Sequence, residues 1–261
     1  ALRVSTHENE YHDNMVAMLE LIWGEGYMAP GGPGNVARLL AGTAPAGKLI
    51  LDVGCGIGGP AFEMARLHGA RVVGIDLEAP LIERAEQAAA RHDLADQCQF
   101  QTVEEGPLPF DNESFDIVLS SGALTQTSGA PDLVRECCRV LRPGGFLTCY
   151  EWMRTAQEYS ADMLYWFKME ELTFELLTLG EFQEMYESAG FIDIEASDAS
   201  DWYRVECRRE YELIKGDLYP RMVELLGQDS ADHFVEDWRS MVVVCESGEM
   251  RQGYCRGRKP L

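Results

Sequence analysis

The stretch that most restricts what this chain can fold into is residues 48–59, KLILDVGCGIGG. An apolar run (Leu49, Ile50, Leu51, Val53) breaks into glycines at 54, 56, 58 and 59. Pro60 and AFEMARLHG follow, the pattern of a buried strand, a tight glycine turn and a helix that opens on proline. Glycine accepts positive φ and lets backbone approach a ligand, and a helix start presents unbonded N–H groups. Asp52 ends the strand, and Asp76 closes the next apolar run, VVGID, 22 residues past Gly54. An acid at that distance suits ribose hydroxyls. An acid beneath the glycine loop repels a pyrophosphate. The pair therefore fits a ligand with an adenosine ribose and a cationic end, and S-adenosylmethionine (SAM), with its ammonium and sulfonium, has both.

Residues 46–150 alternate strand and helix. Strands are expected at Lys48–Val53, Val72–Asp76, Cys98–Thr102, Phe115–Ser120 and Phe146–Tyr150, with helices opening at Pro80 and Pro131. Short β-α connections imply an α/β fold with a doubly wound, Rossmann-like, seven-stranded and mostly parallel sheet. Ligands bind at the carboxyl ends of such strands, a rim that gathers Asp52, Asp76, Glu104, Ser120 and Tyr150. Residues 1–45 carry Met15, Met18, Leu19 and Ile22 at helical spacing and are expected to form an N-terminal helical lid. Tyr11 and His12 fall before that apolar face begins. Residues 46–261 then form the SAM-binding domain, with helical insertions near 155–176 and 198–240. Thr178 and Glu181 have capping-box spacing, and last strands are expected at 191–196 and 251–259. The insertions are rich in aromatic residues, Trp166, Trp202 and Trp238 among them; most suit a core, and some can wall a pocket for a cation.

Charge narrows the partners. With 44 acidic against 22 basic residues the formal charge is −22, and only four of the bases are lysines. Such a surface disfavours nucleic acid and anionic membranes. No run of 18 apolar residues and no basic–apolar leader occurs, so a soluble, cytoplasmic protein without stable membrane insertion is expected. Eight cysteines without a C-x-x-C read as reduced, buried thiols, and five histidines without ligand spacing give no metal site.

The ordered set LDVGCGIGG, VVGIDL, LPFDNESFDIVLS, RVLRPGG and FLTCYEW resembles class I SAM-dependent methyltransferases over about residues 46–200. LDVGCGIGGPA and the YEW at 150–152 look most like sterol C-methyltransferases. The flanks ENEYHDNMVAMLELIWGEGYMAPGG, SDWYRVECRREYELIK and EDWRSMVVVCESGEMRQGYCRGRKP resemble phosphoethanolamine and sarcosine/dimethylglycine N-methyltransferases. The resemblance implies a SAM site at Asp52, Gly54, Cys55, Gly56, Gly58, Asp76, Leu77, Glu104, Ser120 and Ser121, with Tyr27 beside it. Tyr11 falls on the family's N-terminal active-site tyrosine. That tyrosine's histidine partner falls on Gln126, and the amine-side aspartate on Gly122. The phosphate-binding positions fall on Leu19, Lys168, Leu172, Phe174 and Met241, which leaves one cation where paired donors are needed. Phosphoethanolamine is thereby disfavoured.

Three functions compete. The first is N-methylation of a small amine of the sarcosine/dimethylglycine type or a related one, with Tyr11 and Gln126 at the acceptor. A deprotonated amine needs little base help, so loss of the histidine is tolerable. The second is C-methylation of a sterol or isoprenoid alkene, with Glu151 stabilising a carbocation or taking its proton. The third is a SAM-binding protein without catalysis. Transfer of a labelled methyl separates the third from the others, and a polar against a lipophilic acceptor separates the first two.

Overall fold

The computed structural model describes residues 13–127, 129–155, 157–170 and 175–261. Among these, seven strands form one sheet: β1 (Leu49–Val53), β2 (Arg71–Asp76), β3 (Cys98–Thr102), β4 (Phe115–Ser121), β5 (Leu141–Arg154), β6 (Ile192–Asp198) and β7 (Met250–Arg258). Their order is β3-β2-β1-β4-β5-β7-β6. The first five strands pair in parallel, and β7 runs antiparallel between β5 and β6. The expected doubly wound, mostly parallel sheet is present. The order reverses between β1 and β4, which opens a crevice at their carboxyl ends.

Helices cover both faces: α1 (Asp13–Trp23), α2 (Gly32–Leu40), α3 (Gly59–His68), α4 (Ala79–Arg91), α5 (Ala130–Val140), α6 (Ala161–Glu170) and α7 (Leu179–Ser188). After β6 come α8 (Ser200–Lys215), α9 (Tyr219–Leu226) and α10 (Gln228–Glu246). Strand alternation divides the core. Leu51, Val118 and Leu147 face α5 and α7 through Val134, Phe182 and Tyr186. Ile50, Ile117 and Leu119 face α2 and α3 through Leu39 and Phe62. The expected capping box opens α7, with Glu181 N–H donating to Thr178 Oγ1 at 3.1 Å and Thr178 N–H to Glu181 Oε2 at 2.7 Å.

A third apolar cluster forms a cap over the crevice. It joins Met18, Leu19 and Ile22 of α1 to Trp166 of α6, Tyr203 and Cys207 of α8, and Phe234 and Trp238 of α10. The insertions thus share one core with the N-terminal segment. Strand β5 is longer than the expected Phe146–Tyr150. It is paired with β7 as far as Arg154 opposite Met250, and this extension carries Trp152 into the cap cluster.

Candidate active site

The strand–loop–helix that dominates the sequence is folded as a cradle. Gly54 and Cys55 N–H groups both donate to the Ile75 carbonyl, at 2.9 and 3.0 Å, so the loop is tied to the end of β2. Gly54 has φ +72°, and a β-carbon there would sit 2.3 Å from the Ala123 β-carbon. Glycine is required by conformation and by space. Gly59 opens α3 with its N–H on the Gly26 carbonyl at 3.0 Å, where an added β-carbon would meet that oxygen at 2.2 Å. The N-terminal Gly24–Tyr27 turn is therefore seated directly on the loop. Val16 of α1, Ile57 of the loop and Leu81 of α4 pack together beside it.

The loop opens into a cavity of about 1140 Å³ that runs from the strand ends to the cap. At the strand end lie Asp52, Gly54, Cys55, Gly56, Asp76, Leu77, Glu104, Ser121 and Tyr27, all expected from the sequence. Asp76 accepts from Gly56 N–H at 2.9 Å and from Glu78 N–H at 3.1 Å, which fixes its carboxylate at the tip of β2. Burial raises its pKa, and these backbone donors oppose the rise. Asp52 is fully buried and its Oδ2 has no hydrogen-bond partner. Burial, with the Asp76 charge added, pushes its carboxyl up to about 7. An uncompensated carboxylate under a glycine cradle suits a cationic ligand. Burial likewise raises the Tyr27 phenol and the Cys55 thiol.

Four residues expected at the rim or the site lie elsewhere. Ser120 is buried behind the cavity wall, 3.4 Å from Glu151 Oε1. Its neighbour Ser121 takes the cavity side, because successive side chains of a strand alternate. Glu151, proposed for carbocation chemistry, is fully buried and outside the lining. It accepts from Leu124 N–H at 3.1 Å, Thr125 N–H at 3.4 Å and Thr125 Oγ1 at 3.2 Å. It therefore anchors the 3-10 turn Leu124–Gln126, which brings Gln126 to the cavity as expected. Burial pushes Glu151 up to about 7, with the backbone donors opposing the rise. Tyr150 lies in the core beside α2. Gly58 also stays out of the lining; an added β-carbon would press on Phe62 and Phe100, so it shapes the loop from behind. Tyr11 lies outside the described residues, as do Leu172 and Phe174.

The cap end was foreseen only as aromatic insertions able to wall a pocket, with Trp238 among them. Trp23, Trp152, Phe234 and Trp238 line it, with Glu170 of α6 and Asp237 of α10. Glu210 of α8 stands behind this wall. It accepts from Trp23 Nε1 at 2.8 Å, Trp238 Nε1 at 3.1 Å and the Tyr203 hydroxyl at 3.2 Å. One buried carboxylate thus orients two indoles from distant parts of the chain, and burial pushes it up to about 7. Asn35 was also missed. Its Nδ2 donates to Ser121 Oγ at 3.1 Å and its Oδ1 accepts from the Tyr254 hydroxyl at 2.7 Å, tying α2 to β4 and β7. An asparagine in a Gly/Pro-rich stretch carries no sequence signal for such a role.

Among the described residues no helix is long and apolar enough to cross a membrane, and no cluster of three metal-ligating side chains occurs. Residues 51–149 match a family described as a methyltransferase domain. Phosphoethanolamine N-methyltransferase 1 of Arabidopsis thaliana is 26% identical over 245 residues, 94% of this chain and 49% of that protein. A sterol 24-C-methyltransferase of Gibberella zeae is 38% identical over 118 residues, 45% of this chain and 31% of that protein. The chain thus spans about half the length, or less, of these curated relatives. Haemonchus contortus phosphoethanolamine N-methyltransferase 2, solved with phosphomonomethylethanolamine and S-adenosylhomocysteine, superposes with a TM-score of 0.88 at 23% identity. That match covers 97% of this chain and 59% of the other. Residues 51–149 thus carry the methyltransferase-domain match, and the fold built around them is the methyltransferase fold of the Haemonchus enzyme.

Proposed function

We propose that this chain transfers a methyl group from SAM to the nitrogen of a small amine, a class that takes in sarcosine, dimethylglycine and their amino-alcohol relatives. The observation that carries the reading is the joint placement of cradle and cap. The part of the chain that resembles N-methyltransferases at its two flanks, α1 and α10, walls the cavity directly above the glycine loop. The likeness to the Arabidopsis N-methyltransferase runs over nearly the whole chain, whereas the likeness to the sterol enzyme stops within 118 residues.

SAM supplies an electrophilic methyl on a sulfonium. Asp52 and the Gly54–Gly56 backbone would hold its cationic end, Asp76 its ribose and Leu77 its adenine face. The chain's own work is to bind the amine, exclude water and leave its nitrogen unprotonated. Tyr11 is assigned to close over the acceptor and orient it; Gln126, on the Leu124–Gln126 turn, faces the cavity and is assigned to the acceptor as well. Glu151 acts at one remove by fixing that turn.

The test is methyl-labelled SAM offered with a panel of small amines and, separately, with isoprenoid and sterol alkenes. Label recovered on amines supports the reading. Label recovered only on the lipophilic acceptors replaces it with C-methylation, and no transfer despite SAM binding leaves a binding protein.

A further inference from the structure

The charge of the cavity lining separates amines that otherwise look alike. Nine carboxylates line it and, among the described residues, no lysine or arginine does. Lys168, the one cation left at the family's phosphate-binding positions, is exposed and outside the lining, while Leu19 and Met241 at two others are buried and apolar. Three of the nine, Glu170, Asp229 and Asp237, stand at the cap, so a phosphate or carboxylate on the acceptor would enter a chamber of like charge with no lysine or arginine to receive it and only Ser230 and His233 of α10 as side-chain donors on that helix. Several helix starts reach the cavity, those of α2, α3 and α5 toward the strand end; at the cap, that of α10 carries Asp229 in its first turn, which already complements the helix dipole.

What the chamber offers is suited to a cation. The Trp238 and Phe234 rings stack at 5.6 Å with 17° between planes, and Trp23 lies 5.9 Å from Trp238. Trp152 stands across from them on the β5 extension. Glu210 accepts both indole N–H groups from behind, which holds the rings in place. Asp237 is buried in the same wall and Glu170 stands on the adjoining helix. At Gly122, where the family's amine-side aspartate falls, an added β-carbon would have only the Trp152 indole nitrogen and Ala29 near it, at 3.7 and 3.9 Å. The cap carboxylates stand in for the charge missing there.

We infer that the acceptor of this site is an amine without an anionic group, an amino alcohol or a simple alkylamine, held by the aromatic faces and carboxylates of the cap. The inference rests on the reading of the chain as an amine N-methyltransferase and narrows it: sarcosine, dimethylglycine and phosphoethanolamine fall outside. An ammonium must give up a proton before its nitrogen can take a methyl, and a carboxylate beside it can receive that proton.

Product-like probes test this without turnover. Choline, glycine betaine and phosphocholine share one trimethylammonium and differ in the anion. Each is titrated onto the full chain saturated with S-adenosylhomocysteine, and onto the chain alone, by calorimetry and tryptophan fluorescence. Choline is expected to bind about tenfold or more tighter than the other two. Asp237→Asn is expected to weaken choline about fivefold while S-adenosylhomocysteine affinity moves less than twofold. Equal or tighter binding of either anionic probe overturns the inference and leaves methyl transfer standing. So does a failure of all three to bind a protein that holds S-adenosylhomocysteine. A protein that binds no S-adenosylhomocysteine strikes the methyltransferase reading itself, and the choline titration on the chain alone still decides the chamber's preference.

Discussion

The two ends of the cavity are built in opposite ways. The strand end is made largely of backbone: Gly54, Gly56 and the carbonyl of Ile75 shape it, and Asp52 and Asp76 add charge at fixed strand tips. The cap end is made of side chains that converge from α1, β5, α6 and α10. The first needs particular residues at adjacent positions, because a β-carbon at Gly54 has nowhere to go. The second needs only aromatic and acidic surface, and helices from anywhere in the chain can bring it. In the proposed function, a ligand common to many enzymes is met by the rigid end, and the acceptor that sets one enzyme apart is met by the assembled end.

Damage at the strand end should be the more severe. Gly54→Val puts a branched side chain into the Ala123 contact at a positive φ, and is expected to lower SAM affinity by about a hundredfold or more. Calorimetry, with thermal unfolding as a check on folding, measures it; near-native affinity would show that the loop does not cradle the ligand. Asp76→Ala is expected to cost SAM binding about 1.5–3 kcal/mol, the value of a charge-assisted bond. An unchanged dissociation constant removes the ribose assignment.

For the acceptor role proposed for Tyr11, Tyr11→Phe keeps the ring and loses the hydroxyl. It is expected to lower kcat about ten- to a hundredfold with SAM affinity changed less than threefold. Equal turnover in the two proteins leaves the acceptor end without its tyrosine. The same comparison can be read with hydrogen exchange across residues 5–20, where a closing segment gains protection on ligand binding.

The buried carboxyls set two opposite pH trends. Asp52, Glu151 and Glu210 are held at about 7 in the folded chain, above the ordinary carboxyl range of the unfolded one. From about pH 4.5 to 7 the folded state therefore binds more protons. Their contribution to stability is full below that window and is lost as pH rises through it, by about 1.4 kcal/mol per unit for each group. With Asp52 facing the SAM cation as proposed, binding needs it ionised, so the affinity should instead rise with pH, about tenfold per unit below 7. Asp52→Asn should flatten the affinity trend and leave part of the stability trend. Parallel trends in wild type would mean that Asp52 does not face the cation.

What the sequence disclosed follows the same division. The glycine loop, both acids and the β-α rhythm were legible because each rests on local chemistry: a turn that admits no side chain, a strand tip, a proline-opened helix. Ser120 and Ser121 were not separable, since only the register of β4 decides which of two adjacent serines turns to the cavity. Glu151 and Trp152 posed the same problem on β5, whose pairing with β7 past Tyr150 cannot be read from FLTCYEW alone. Trp23, Glu210 and Trp238 meet across 187 and 28 residues of chain, and no spacing announces such a meeting. The smallest expected effect lies there. Glu210→Gln keeps an oxygen for one indole and loses the other bond, and should raise the acceptor KM about three- to tenfold with SAM affinity unchanged.

The most direct measurement is the fate of the methyl itself. With carbon-13 methyl-labelled SAM and N,N-dimethylethanolamine, NMR of the product is expected to show the label in a trimethylammonium group, formed in step with S-adenosylhomocysteine. A protein that binds SAM, leaves every amine unlabelled and places the methyl on an alkene carbon would contradict the account.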